Sequence, residues 1–213
     1  MATPQTLKLL LDDFNRANEG PPPSNSWTNG ITTFVAGEGL VVSGNKVTRK
    51  ATGGFEQGSY WSAADFGPNV ELVAEMSDWT NTFNNGLHLF LALANIGSTS
   101  TDGYSLEVER AAATTPWAIQ RSDNNSKTQL ATVANQAVAS GDMIAFQRIG
   151  NTLIGWLKPV AGAWTQILSA SDSTYTAAGK VGIEIKNNQE TKLTNVWAAS
   201  LPAGSQTYVA LRP

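Results

Sequence analysis

The chain has 213 residues, no cysteine, and 14 basic against 17 acidic side chains, for a net charge of −3. Disulfides and thiolate metal sites are therefore excluded, and with 15% charged residues there is no basic field of the kind nucleic acid requires. No stretch approaches the roughly 18 apolar residues of a membrane span. The opening MATPQTLKLLLDD lacks the basic start of a signal peptide, so synthesis in the cytoplasm without export is expected.

Residues 1–6 are polar and read as an arm. Leu7 to Phe14 suits an opening strand with Leu9 and Leu11 on one face. DDFNRAN then gives way to GPPPSNSW, whose three prolines favour an extended connection. Short alternations follow at Trp27–Val35 and Gly39–Val47, then a mixed aromatic strand at Phe55–Trp61. From Val70 to Met76, Val70, Leu72, Ala74 and Met76 alternate with Glu71, Val73 and Glu75, which predicts a half-buried strand with its acids outward. Leu87–Ala94 is a strong apolar run, with His88 inside it, and predicts a central strand covered on both faces. Tyr104–Arg110 and the start of a strand at Trp117–Gln120 come next, while Leu130–Val138 is ambiguous.

The clearest signal is GDMIAFQRIGNTLIGWLKPVAGAWTQIL, residues 141–168. It predicts three strands, with Gly150-Asn151 suited to a two-residue hairpin turn and Pro159–Gly162 breaking the second strand. Val181, Ile183 and Ile185 then alternate with Gly182, Glu184 and Lys186, and Leu193–Ala198 closes the pattern. About a dozen short strands separated by turn signals, with no long helix, indicate an all-β, antiparallel two-sheet jelly-roll sandwich. We read residues 1–213 as one domain, with a core of about 7–201 and a tail at 202–213.

Three pieces carry a resemblance to the concanavalin A-like, laminin-G-like jelly rolls: DDFNRAN with Trp27 downstream, GDMIAFQRIGNTLIGWLKP, and AGKVGIEIKNN…TKLTNVWAASLP. The resemblance implies that first and last strands are neighbours, bringing Phe14 near Trp197. Such modules occur in lectins, glycan-binding domains and glycanases, and in capsid-surface and tail proteins of bacteriophages. The opening motif looks most like the phage versions. It implies a non-enzymatic virion structural protein, either a capsid decoration or a minor tail component, made in the host cytoplasm. Its partners would be other virion proteins, further copies of itself and host-surface glycans, without nucleic acid or membrane insertion. Docking would use strand addition by the termini, at Tyr208, Val209 and Leu211.

The alternative is a carbohydrate-binding, lectin-like module. Trp79 and Trp117 border polar loops, and exposed aromatic rings stack on sugars. Trp79 with Asp78, Asn81, Asn84 and Asn85 is therefore the candidate glycan-contacting loop, while Trp156, Trp164 and Trp197 are expected to pack between the sheets. A third reading is a glycoside hydrolase built on Glu107 and Glu109, since glycanases need two carboxyl groups flanking the bond. Related glucanases carry Glu-x-Asp-x-x-Glu, and here Glu107-Val108-Glu109 is followed by Arg110 and alanines, so the third acid is missing. His88, the single histidine, reads as a satisfied core or sheet-face residue. No cofactor is implied, although the oxygen-rich loops at Asp78, Asn81 and Asn84 and at Asp123, Asn124 and Asn125 have the donor chemistry of calcium sites. The same residues also dominate ordinary turns.

Overall fold

A computed structural model describes residues 4, 8–31, 39–50, 52, 56–80, 85–97, 100–109, 116–134, 136–186 and 190–202. Its first part holds β1 (Leu9–Asp12), β2 (Trp27–Asn29), β3 (Leu40–Val42), β4 (Val47–Arg49) and β5 (Glu56–Trp61). Three long strands follow, β6 (Val70–Asp78), β7 (Gly86–Ala94) and β8 (Asp102–Glu109), then the hairpin of β9 (Trp117–Asp123) and β10 (Ser126–Val133). The meander predicted at 141–168 is β11 (Met143–Ile149), β12 (Thr152–Lys158) and β13 (Thr165–Ser171). The chain closes with β14 (Lys180–Lys186) and β15 (Lys192–Ser200).

These strands form two antiparallel sheets. The eight-stranded sheet runs β13-β12-β11-β6-β15-β4-β3, with β1 also paired to β15, and the seven-stranded sheet runs β10-β9-β8-β7-β14-β5-β2. Period-two patterning decides what lies between them. Leu72, Ala74, Ile144, Phe146, Leu153 and Val196 face Leu87, Leu89, Leu106, Ile119 and Ile183 in one continuous core. The turns behave as their residues require. Gly150 sits at φ 58° between β11 and β12, and Asn124 and Asn125 sit at φ 52° and 64° between β9 and β10. The ambiguous 130–138 stretch splits, with β10 ending at Val133.

Several expectations change in three dimensions. Val70, Leu72, Ala74 and Met76 do face inward, but Glu71 on the opposite side is fully buried. Lys8 lies 3.6 Å from Glu71, and Gln147 Nε2 donates to the same carboxylate. Trp156 also lies on that outer face, donating from Nε1 to Gln147 Oε1 at 2.7 Å. It packs with Val73, Ala145 and Ile154, and Trp164 and Trp197 pack against this second cluster. The three tryptophans therefore coat the outside of the eight-stranded sheet and do not fill the space between sheets. The first and last strands are neighbours, with Leu10 opposite Trp197. Phe14, however, turns into the core and meets Trp27, ring centroids 6.2 Å apart. Leu9 and Leu11 part company as well: a bulge falls between Leu10 and Asp12, and Leu9 is exposed while Leu11 is buried.

The opening motif forms a polar knot. Asp12 Oδ1 accepts from Phe14 N at 2.9 Å, and its two oxygens accept from Arg16 Nη1 and Nη2 at 2.5 and 2.9 Å. Trp27 Nε1 also donates to Asp12 Oδ2, at 3.0 Å. Asp12 is buried, so removing its carboxylate strands three groups at once. Asp12→Ala should cost about 3 kcal/mol and lower Tm by roughly 6–12 °C, read by thermal denaturation. A loss below about 1 kcal/mol would show that the knot is not structural.

Candidate functional site: a charged row on the seven-stranded sheet

Because Leu87, Leu89, Leu106, Val108, Ile183 and Ile185 point into the core, their strand neighbours point out of the seven-stranded sheet. Register then places Glu184 beside His88 and His88 beside Glu107, in one row across β14, β7 and β8. The next row aligns Glu56, Lys186, Gly86 and Glu109. On the other side, Gly182, Phe90, Ser105 and Gln120 share a row.

The row is tightly paired. His88 Nε2 lies 2.9 Å from Glu109 Oε1, and Nδ1 lies 2.6 Å from Glu184 Oε1. Lys186 Nζ reaches Glu109 at 2.7 Å and Glu56 at 3.2 Å. Glu107 accepts from Ser105 Oγ at 3.2 Å, Gln120 Nε2 at 2.5 Å and Lys127 Nζ at 2.6 Å. His88 and Glu184 are wholly buried although both sit on a sheet's outer face.

Burial of His88 opposes its charge, but Glu107, Glu109 and Glu184 outweigh burial and push its pKa up to about 10. Burial likewise opposes ionisation of Glu109, and His88 and Lys186 overturn it, bringing the carboxyl down to about 2. Lys127 and Lys186 are pushed up by the same acids, against their burial.

These values decide what the cluster can do. A glycanase general acid must hold a proton near neutral pH, and Glu109 is ionised far below that. Glu107 and Glu109 do share a face as the sequence predicts, but protein donors occupy both. One ligand atom each of His88, Glu107 and Glu109 lie within 4.8 Å of one another, a spacing that would suit a metal. Each of these groups already has a protein partner: Lys186 on Glu109, Lys127 on Glu107, and Glu109 on His88 Nε2.

The loop oxygens are similarly engaged. Asp78 pairs with Lys46 and Lys192 at 3.0 and 3.3 Å. Asp123 accepts from Tyr175 Oη and Arg121 Nε, and Asn125 Oδ1 from Thr101 N. Among the described residues, these loops offer calcium no oxygen cluster without a protein donor.

Of the predicted glycan-contacting residues, both tryptophans are turned inward. Trp79 is 7% exposed and Trp117 0%, and both belong to the core, where neither ring can meet a sugar face. Each sits where a strand meets a loop, and the ends of the sandwich need large apolar plugs. Asn85 is buried and donates to Thr80 O and Oγ1. Asn81 and Asn84 lie outside the described residues, as do Arg110, Tyr208, Val209 and Leu211.

Sequence reasoning passed over Lys127, Gln120, Glu184 and Lys186. All are outward residues of alternating strands, and only register links them. Beside them is a recess of about 50 Å³ lined by Ile31, Phe90, Ser105, Ser122, Asn125 and Lys127. Ile31 lies over the sheet at Gly182, where a Cβ would meet Ile31 Cδ1 at 2.4 Å.

No protein-family model and no curated protein sequence matches the chain. Solved structures do. The VIP36 exoplasmic/lumenal domain in its Ca2+/Man3GlcNAc-bound form superposes with a TM-score of 0.64 at 9% identity, covering 83% of this chain and 84% of that one. Lectin II from Ulex europaeus gives 0.59 at 13% identity, covering 87% and 98%. The carbohydrate binding module CBM66 from Bacillus subtilis gives 0.53 at 10%, covering 82% and 92%. At these identities what is shared is architecture, and the chain has the fold of the legume-lectin-like, concanavalin A-like jelly rolls.

Proposed function

We propose that this chain is a non-catalytic carbohydrate-binding module of lectin type, taking a saccharide on the outer face of the seven-stranded sheet beside Gln120, Lys127 and Gln129, the exposed β10 residue directly opposite Gln120. One observation carries the reading: Gln120 and Lys127 are both anchored on Glu107, whose position is set by the buried row around His88. Hydrogen-bonding groups fixed in advance on strands lose little entropy when they meet hydroxyls. The fold supports it further, since similar structures are described as bound to mannose-containing sugars and as carbohydrate binding modules. Glu109, held ionised, argues against acid catalysis on this face.

The test is a glycan array followed by calorimetry. Wild-type protein should bind saturably, Gln120→Ala/Gln129→Ala should weaken binding at least about tenfold, and Gln129→Ala alone, at an exposed position, should weaken it at unchanged Tm. No wild-type binding to any glycan would overturn the proposal. The virion-surface role rests on the sequence resemblance alone, and the tail residues 203–213 that would dock it lie outside the described residues.

A further inference from the structure

A second feature stands apart from the charged row, at one end of the sandwich, between β1 of one sheet and the β2–β5 edge of the other. It is an open groove of about 470 Å³ lined by Asp12, Arg16, Glu19, Asn25, Trp61 and the serines of the 24–26 turn. Trp27 and Trp61 are cross-strand partners, with rings edge to face at 5.4 Å. Trp27 is buried and Trp61 is partly exposed to the groove.

Arg16 is already committed. It reaches Asp12 through two nitrogens, Glu19 Oε1 through Nε, and Pro23 O through Nη2. It therefore braces the wall and offers no free charge for an anion. What faces the groove is different: the exposed amide of Asn25, the hydroxyls of Ser24 and Ser26, and Glu19, whose second oxygen meets no donor among the described residues. A hard cation would draw on the oxygens of Glu19, Asn25 and Ser24 but would leave the indole of Trp61 without a role. A pyranose presents hydroxyls that both donate and accept, plus an apolar C–H face suited to an indole. The volume is within the usual range for a small-ligand site, roughly 300–1,000 Å³.

We infer that this groove is a second saccharide site, in which Trp61 stacks on a neutral pyranose ring while Glu19, Asn25 and Ser24 bind its hydroxyls. The inference rests on the carbohydrate-binding reading but not on where the first site lies. A chain with two separated sites engages a branched or repeating glycan at two points, and gains avidity by linkage.

The test uses the methyl glycosides of mannose, glucose and galactose, with N-acetylglucosamine, followed by saturation-transfer NMR and calorimetry. Trp61→Ala and Asn25→Ala should each weaken at least one probe about tenfold. Trp61→Phe should retain most of the affinity, and Asn25→Ala, at an exposed turn, should leave Tm unchanged. Gln120→Ala/Gln129→Ala should leave this component intact. If Trp61→Ala and Asn25→Ala bind every probe as the wild type does while the glutamine pair loses binding, the second site is overturned and the carbohydrate reading stands. If the wild type binds none of the probes, the second site is overturned, and the glycan array decides the broader reading separately.

Discussion

Replacing His88 with leucine is expected to lower Tm by roughly 10 °C or more, corresponding to about 3–5 kcal/mol. The imidazolium is the one cation that Glu107, Glu109 and Glu184 share, and it has no exposure to water. Leucine fills a similar volume but leaves three acids with two lysines. The pH dependence makes the test specific. His88 has a folded pKa of about 10, raised above its unfolded value near 6.5, so its contribution is complete below about 6.5 and is lost as pH rises through 10. Glu109 is depressed to about 2, so its contribution is complete above about 4.5 and is lost as pH falls through 2. Lys127 and Lys186, both raised, extend the alkaline decline. Wild-type Tm should therefore plateau between about pH 4.5 and 6.5 and fall on either side. His88→Leu should lose the alkaline slope up to about pH 9. An unchanged slope in the variant would show that other groups set it.

Arg148→Met should cost about 3 kcal/mol, or roughly 6–12 °C in Tm. Arg148 is almost wholly buried and has no carboxylate partner among its described contacts. Its guanidinium instead donates to three backbone carbonyls, those of Pro68, Tyr175 and Ala177. Burial pulls its pKa down, a sign of the desolvation that those carbonyls offset. Methionine keeps the stem and removes every donor, so the carbonyls lose their partners while the packing survives. The same loop is held from the far side by Tyr104 Oη on Asp172 at 2.7 Å and Arg121 on Asp172 at 2.8 Å. Hydrogen exchange should consequently speed up between residues 172 and 179 before it does so in β11. Uniform acceleration across both would mean that Arg148 supports the whole sandwich and not this loop.

The jelly roll was legible because alternation and turn chemistry are local properties. Met143 to Leu168 shows its strands and its Gly150-Asn151 turn in consecutive residues, and β7 shows its two covered faces as an apolar run interrupted only by His88. The charged row was not legible, because Glu184, His88 and Glu107 meet only through the register of three strands distant in sequence. The tryptophans misled for a related reason. β12 carries Leu153 and Leu157 on one side and Ile154 and Trp156 on the other, so period two marks two faces without saying which is inside. The neighbouring polar loops made Trp79 and Trp117 look accessible, whereas the sandwich ends enclose them. Glu71 resembled a solvated acid until Lys8, the residue before β1, came to lie beside it.

The pairing of β1 with β15 also sets how the molecule bears load. Leu9 sits opposite Ala198 and Asp12 opposite Val196, so the start of one strand and the finish of the other meet at the same end. Tension applied between the two termini therefore unzips this pair rung by rung, with each hydrogen bond loaded in turn and none sharing the force. Peeling proceeds as far as Asp12, where Arg16 and the Trp27 indole clamp the chain. Force along this pair is therefore expected to release β1 first, with resistance rising at Asp12.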